Sequence, residues 1–168
     1  MGSMVQANMN TLIVTVGLPR SGKSTWALAT SKQLHCPIVN PDSVRLAVTG
    51  QRFVREAEPT VWMVVRYMLR ALFIAGHKTV ILDSTNLSKS QRKVWLDESK
   101  NGNYGDSTVC FVTFDTDPDT CKQRAIETNM ADLLPIIDSM HESFEELDDS
   151  EEPNHNVKNA LAGIEGFI

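Results

Sequence analysis

Thr11-Leu-Ile-Val-Thr-Val16-Gly17-Leu-Pro-Arg-Ser-Gly22-Lys23-Ser24-Thr25 is the stretch on which the reading of this 168-residue chain turns. A short β-branched run has the composition of a buried strand. Gly17 to Thr25 then matches G-x-x-x-x-G-K-[ST], the Walker A pattern. Each part answers a physical demand. The glycines let the backbone bend until successive N–H groups point inward as an anion nest. A helix starting at Lys23 adds its positive end and its unpaired donors. Gly17, Leu18, Pro19, Arg20, Ser21, Gly22, Lys23, Ser24 and Thr25 are therefore the expected phosphate-binding residues. The Lys23 ammonium is expected at the β- and γ-phosphates, and the Ser24 hydroxyl on Mg²⁺.

Working outward, strands and helices alternate. The helix from Lys23 to about Gln33 precedes a short strand at Pro37-Ile-Val39, and Asp42 is placed to cap the helix that follows. Pro59 opens a long helix whose apolar positions Val61, Val65, Met68, Leu69, Leu72 and Phe73 recur at helical spacing until Gly76. Thr79-Val-Ile-Leu-Asp83 is a third strand, residues 90–99 read as a helix, and Thr108-Val-Cys-Phe-Val-Thr-Phe114 is a fourth strand. A polar loop leads into a helix carrying Lys122 and Arg124. Pro135 opens another, striped by Ile136, Ile137, Met140, Phe144 and Leu147. Repeated βαβ units imply an α/β fold: a mostly parallel sheet of four to five strands, helices on both faces and a small helical lid. The expected division is 1–10 as expression scar (Met1-Gly2-Ser3 before Met4) and extension, 11–147 as the P-loop domain, and 148–168 as an acidic tail. The last four residues are expected either to add a short strand or to fray.

In open α/β sheets the functional residues lie beyond the carboxyl ends of the strands. Asp42, after the second strand, is placed to take the proton of an acceptor hydroxyl or to cap its helix. Arg45 shares its helix face and suits a substrate phosphate or a plain surface position. Asp83, ending the third strand, has the placement of a Mg²⁺-holding Walker B acid, and Ser84, Thr85 and Asn86 are short polar groups suited to positioning an acceptor. Lys122 and Arg124 are the only basic residues between Asp106 and Glu152. On a lid helix, Arg124 would bring a cation onto the transferring phosphoryl group.

Composition bounds the partners. The net charge of −5 hides a split: residues 1–100 hold 13 Lys/Arg against 6 Asp/Glu, and residues 101–168 hold 3 against 15. The basic part includes Arg20, Lys23, Arg45, Arg52 and Arg55, a possible track for a polyanion, whereas the acidic part reads as a solvated face. Cys36, Cys110 and Cys121 lack the spacing of a disulfide framework or a zinc site and suit small hydrophobic positions in a reducing cytosol. The four histidines show no ligand spacing. Trp62, Tyr67 and Trp95 are available for stacking on a base, with core packing the simpler assignment. No signal peptide is read at the N-terminus, and the apolar stretch 61–75 is interrupted by Arg66 and Arg70 and too short to span a bilayer, so a cytoplasmic, membrane-free protein is expected.

The segments Gly17–Trp26 (GLPRSGKSTW), Asn40–Arg45 (NPDSVR), Val80–Leu87 (VILDSTNL), Cys121–Arg124 and the Pro135 helix together resemble the kinase domain of phage-type 5′-polynucleotide kinases and related AAA-like P-loop kinases, from about Thr11 to Leu147. The resemblance implies Asp42 as general base, Arg45 as ligand of the acceptor's phosphate and Arg124 as the first lid arginine. A second lid arginine would fall near Thr128 or Asn129, and the family's Asp-Thr-Asn becomes Ser84-Thr85-Asn86, with Asp83 one place earlier. The implied activity is ATP/Mg²⁺-dependent transfer of a γ-phosphoryl group to a nucleic-acid hydroxyl: the 5′-hydroxyl of a polynucleotide (likeliest DNA) or that of a hydroxymethylated base. The alternatives are a small-molecule or nucleotide-sugar kinase, including a toxin-like one, and a nucleotide-dependent switch without an acceptor.

Overall fold

The computed structural model describes residues 9–151 and the backbone of residues 154–156. The proposed scar and the last four residues lie outside that range. Five parallel strands run β1 (Asn10–Gly17), β2 (Ile38–Val39), β3 (Thr79–Leu82), β4 (Ser107–Phe114) and β5 (Asn154–Asn156), in the order β2-β3-β1-β4-β5. The first strand is thus central. Val14 aligns with Leu82 on one side and Phe111 on the other, so the ends of β1 and β3 emerge side by side.

Burial on both faces explains the apolar strands. Leu12, Val14 and Val16 pack with Val61, Val65 and Leu69 of α3 (Glu58–Ile74), while Ile13 meets the cluster of Ala27, Cys36 and Ile81 beneath α1 (Lys23–Leu34). Every fourth residue of α3 from Val61 to Phe73 is buried, the i, i+4 stripe that a helix on a sheet requires. Met68, expected on that stripe, is exposed instead. In α2 (Pro41–Thr49), Asn40 rather than Asp42 is the cap: its side chain accepts the Ser43 N–H at 3.1 Å, and Pro41 occupies the first turn. Asp42 is thereby left free of the capping role.

The lid has its own core. Cys121 and Ala125 of α5 (Pro118–Glu127) and Ile137 of α6 (Leu134–Glu142) pack on Leu18 and Leu87. Leu18 belongs to the phosphate loop, so the lid is seated directly on that loop. Ile136, expected inward, faces outward.

Beyond Leu147 the sequence suggests only solvated acid, yet Glu151 is buried. Its carboxylate accepts from Arg92 Nε at 2.5 Å and Nη2 at 3.3 Å, both side chains being within 2% of full burial. Arg92 comes from α4 (Lys89–Lys100) and also donates to the carbonyls of Asn86, Leu87 and Glu146. The guanidinium therefore fastens the segment after β3 to the chain before β5. Removing one partner of such a pair strands a buried charge, at a cost of about 3–5 kcal/mol. Glu151→Ala is predicted to lose about 3 kcal/mol in urea denaturation, and Arg92→Met/Glu151→Met to recover most of it. A single-variant loss below about 1 kcal/mol would contradict a structural role for the pair.

Candidate active site

The loop after β1 closes over its own lysine. Gly17 packs so tightly that an added Cβ would lie 3.0 Å from both the Cβ and the carbonyl oxygen of Phe114. Gly22 adopts φ +101°, and Arg20 adopts φ +66°, a conformation that permits the inward turn of the amides. Three further contacts fix the loop from outside: Gly17 N–H donates to the Thr85 carbonyl (2.9 Å), Thr116 Oγ1 to the Ser21 carbonyl (2.8 Å), and Arg124 Nη1 to the Arg20 carbonyl (3.1 Å). Arg124 is otherwise exposed, and its guanidinium lies at the backbone of the phosphate loop.

Lys23 is only 7% exposed; its ammonium donates to the Leu18 carbonyl and to Ser21 Oγ (3.3 Å). Burial pulls its pKa down from 10.5 to about 8, opposed by the nearby Asp83 and Asp42 carboxylates and the Cys121 thiol. The two acids proposed from sequence thus both oppose the loss of the Lys23 proton. Asp83 is buried at the end of β3, where Asn40 Nδ2 donates to its Oδ2 at 3.1 Å. Its Oδ1 takes no hydrogen bond among the described residues. The Ser24 hydroxyl, exposed in the first turn of α1, is likewise unengaged there. One anionic and one neutral hard oxygen beside a loop of inward amides suit Mg²⁺ carried with a nucleoside triphosphate. No group of three or more His, Cys, Asp or Glu among the described residues is placed to hold a metal by itself.

The acceptor-side residues divide. Asp42 is exposed (79% of its side chain) and receives Arg45 Nη1 at 2.6 Å. Arg45 does not stand open to a phosphate. It forks onto both oxygens of Glu58, at 2.7 and 2.8 Å, and lies 5.8 Å from the Trp62 ring. Trp62 Nε1 completes the chain by donating to Glu58 Oε2 at 3.1 Å. The guanidinium holds the Glu58 carboxyl below its ordinary value, and is itself held above its own. Asn86 is buried at φ +45°, its amide donating to the Thr15 carbonyl (2.9 Å) and accepting from Trp95 Nε1 (2.9 Å). It buttresses the loop after β3 and also lines the cavity beside it. Ser84 and Thr85 remain half-buried at the rim of a cavity of about 190 Å³ between α3 and α4.

Of the other cations, Lys122 is bound to Asp119 (2.8 Å) and Asp138 (3.0 Å), which raise its pKa, and Arg52 pairs with Asp132 of the lid at 3.0 Å. At Thr128 the side chain merely caps the carbonyl of Arg124. Sequence reasoning did not single out Glu58 or Arg66, and offered Trp62 for stacking or for core packing; it is half-buried against the core. The i, i+4, i+8 spacing of Glu58, Trp62 and Arg66 beside the buried stripe of α3 marks a second, polar face.

The chain belongs to the AAA domain family, whose model matches residues 12–147. Its structure is a P-loop kinase-like fold shared with several kinase families. A chain of the Pnkp1/Rnl/Hen1 complex is 26% identical, over 73% of this chain and 41% of its own length, with a TM-score of 0.60. A chain of the Pnkp1/Rnl/Hen1 RNA repair complex is 20% identical, over 86% and 49%, with a TM-score of 0.64. A gluconokinase from Sinorhizobium meliloti 1021 is 17% identical, over 93% and 92%, with a TM-score of 0.63. The chain thus spans less than half the length of the two complex chains. The likeness extends across kinase families and does not single out the phage-type polynucleotide kinases. No curated protein matches the sequence. No helix among the described residues is long and apolar enough to cross a membrane.

The lowered Lys23 pKa has a measurable consequence. Between about 8 and 10.5 the unfolded chain holds the proton that the folded chain has released, so this group's contribution to stability rises with pH across that window and is least below it. In buffer free of phosphate and sulfate, Lys23→Met should be more stable than wild type at pH 7, by an amount that shrinks by roughly 2–3 kcal/mol on reaching pH 10.5. A pH-independent difference between the two urea curves would show that Lys23 is not a buried cation.

Proposed function

We propose that the protein is an ATP/Mg²⁺-dependent kinase whose acceptor is a small hydroxyl compound. The observation that carries the kinase reading is a second, solvent-facing carboxylate at the lysine of the loop. Asp83 is engaged by Asn40, whereas Asp42 is exposed and aimed by Arg45. A nucleotide switch has no use for such a group. In the reaction, the acceptor oxygen attacks the γ-phosphorus of ATP as its proton passes to Asp42. The bond from the γ-phosphorus to the β,γ-bridging oxygen breaks, and ADP leaves. Mg²⁺, when bound, neutralises charge on the phosphate oxygens, with Ser24 and Asp83 as its protein ligands. Lys23 and the loop amides hold the phosphates, and Arg124, already at the Arg20 carbonyl, is the lid cation for the transferred group.

The acceptor class follows from Arg45. As the ligand of a nucleic-acid phosphate it would first have to leave Glu58, Asp42 and the Trp62 face, so the geometry favours an acceptor that does not need it. The solved gluconokinase and sugar kinase that this chain resembles in fold over most of its length are compatible with that choice. The second reading, a nucleic-acid hydroxyl as acceptor, is favoured by the 26% identity to a chain of the Pnkp1/Rnl/Hen1 complex and by the motifs around Asp42 and Asp83.

Asp42→Asn is predicted to lower transfer from labelled ATP by about 10²–10⁴-fold while ATP affinity changes little. Wild-type transfer by the variant would remove Asp42 from the role of base. A panel of polyols, sugar acids, nucleosides and 5′-hydroxyl oligonucleotides separates the acceptor classes: label on the oligonucleotides alone would overturn the small-acceptor reading.

A further inference from the structure

The carboxyl end of β3 opens onto the 190 Å³ cavity, whose walls include Trp62 and Arg66 of α3, Ser84 and Thr85 after β3, and Gln91 and Trp95 of α4. Three features distinguish it from an incidental surface hollow. First, it is bonded to both halves of the reaction centre. Trp62 connects through Glu58 and Arg45 to Asp42, with successive contacts of 3.1, 2.8 and 2.6 Å. Thr85 accepts the N–H of Gly17 from the phosphate loop. A molecule in the cavity therefore lies against Trp62, which is linked to Asp42 through Glu58 and Arg45, and against Thr85, which is bonded to the loop.

Second, its cation is unspent. Arg66 is half-buried and makes no hydrogen bond or ion pair among the described residues. Arg45, Arg52, Arg92 and Arg124, by contrast, are each bonded to an acid or a carbonyl. Third, one wall is indole, with Trp62 packed against the nearly buried Trp95. Trp62 and Trp95 lie 6.1 Å apart at 48° to one another, which gives carbon skeletons an apolar surface. Arg66, one turn beyond Trp62 on the same face of α3, stands at the edge of that surface. An unpaired, partly desolvated guanidinium of this kind favours a carboxylate or phosphate oxygen pair.

We propose that this cavity is the acceptor site, and that Arg66 selects acceptors bearing an anionic group beside the hydroxyl to be phosphorylated. This deepens the kinase reading and rests on it for the word acceptor. The anion is a carboxylate, as in a sugar acid, or a phosphate, as in a nucleoside 3′-monophosphate with a free 5′-hydroxyl. Trp62 is the stacking wall, and Glu58 is a positioning residue that ties the occupied wall to Asp42 through Arg45.

Binding tests the site without requiring turnover, because Trp62 and Trp95 report occupancy by their fluorescence. D-gluconate, glucitol, thymidine 3′-monophosphate and thymidine are titrated into the full chain and into Arg66→Gln, Arg66→Lys and Trp62→Phe. At least one anion should bind wild type tenfold or more tightly than its neutral counterpart. Arg66→Gln should abolish that preference, and Arg66→Lys should restore part of it, which a merely structural role for Arg66 would not do. Gluconate or the nucleotide as the binder decides between carboxylate and phosphate. Equal binding of anion and neutral analogue, no binding of either pair, or a preference untouched in Arg66→Gln would overturn the proposal. Binding that meets these terms with no transfer from ATP would instead overturn the kinase reading. Transfer to an anionic acceptor whose KM is unchanged in Arg66→Gln would leave that reading standing and remove the site.

Discussion

A lysine ammonium buried inside its own loop is the constraint around which this molecule is arranged. Desolvation lowers the Lys23 pKa to about 8, so the charged form persists only because the surroundings are built for it. Gly17 and Gly22 give the backbone the room and the turn that bring carbonyls and amides inward. Thr85, Thr116 and Arg124 then fix that backbone from three different segments. Asp83 and Asp42 approach from two strand ends and supply the opposing charge. The loop is a binding element held ready by the sheet, since each of its restraints comes from the carboxyl side of a strand or from the lid that follows one.

From that loop a second layer of order extends to the acceptor side. Arg45 is engaged by two carboxylates, those of Asp42 and Glu58. It joins a chain from Asp42 through Glu58 to Trp62, and this chain positions the Asp42 carboxylate. On the other flank Asn86 and Arg92 use their polar atoms to hold the segment after β3. Thr15 ties that segment to β1: its hydroxyl donates to the Ser84 carbonyl and accepts the Ser84 N–H. The cavity proposed for the acceptor lies between these two braced walls.

Much of this was legible in the sequence because it depends on local pattern. The glycine spacing, the β-branched runs and the acids at strand ends identify the phosphate loop, the parallel sheet and the pair Asp42 and Asp83, without any long-range information. The rest depends on which partner a side chain finds across the fold. Nothing local to Arg45 predicts that Glu58, thirteen residues away, will take up its guanidinium. Asn86 sits in a motif that suggests substrate contact, yet its amide is spent on Thr15 and Trp95. Glu151 belongs to a run of acids that promises a solvated face, and its burial is dictated by Arg92, fifty-nine positions earlier. The polar stripe Glu58, Trp62 and Arg66 was available to a reading at helical spacing, but the stronger apolar stripe of α3 masked it.

The central claim is that the phosphate loop serves transfer to an acceptor. It is tested most directly by following ³¹P resonances of ATP, Mg²⁺ and wild-type protein in the presence of hydroxyl acids and nucleosides. The account predicts that the γ-phosphorus signal converts to a phosphomonoester resonance in amounts equal to the ADP formed, with inorganic phosphate a minor product. ADP accompanied only by inorganic phosphate, at a rate that no hydroxyl compound alters, would contradict it.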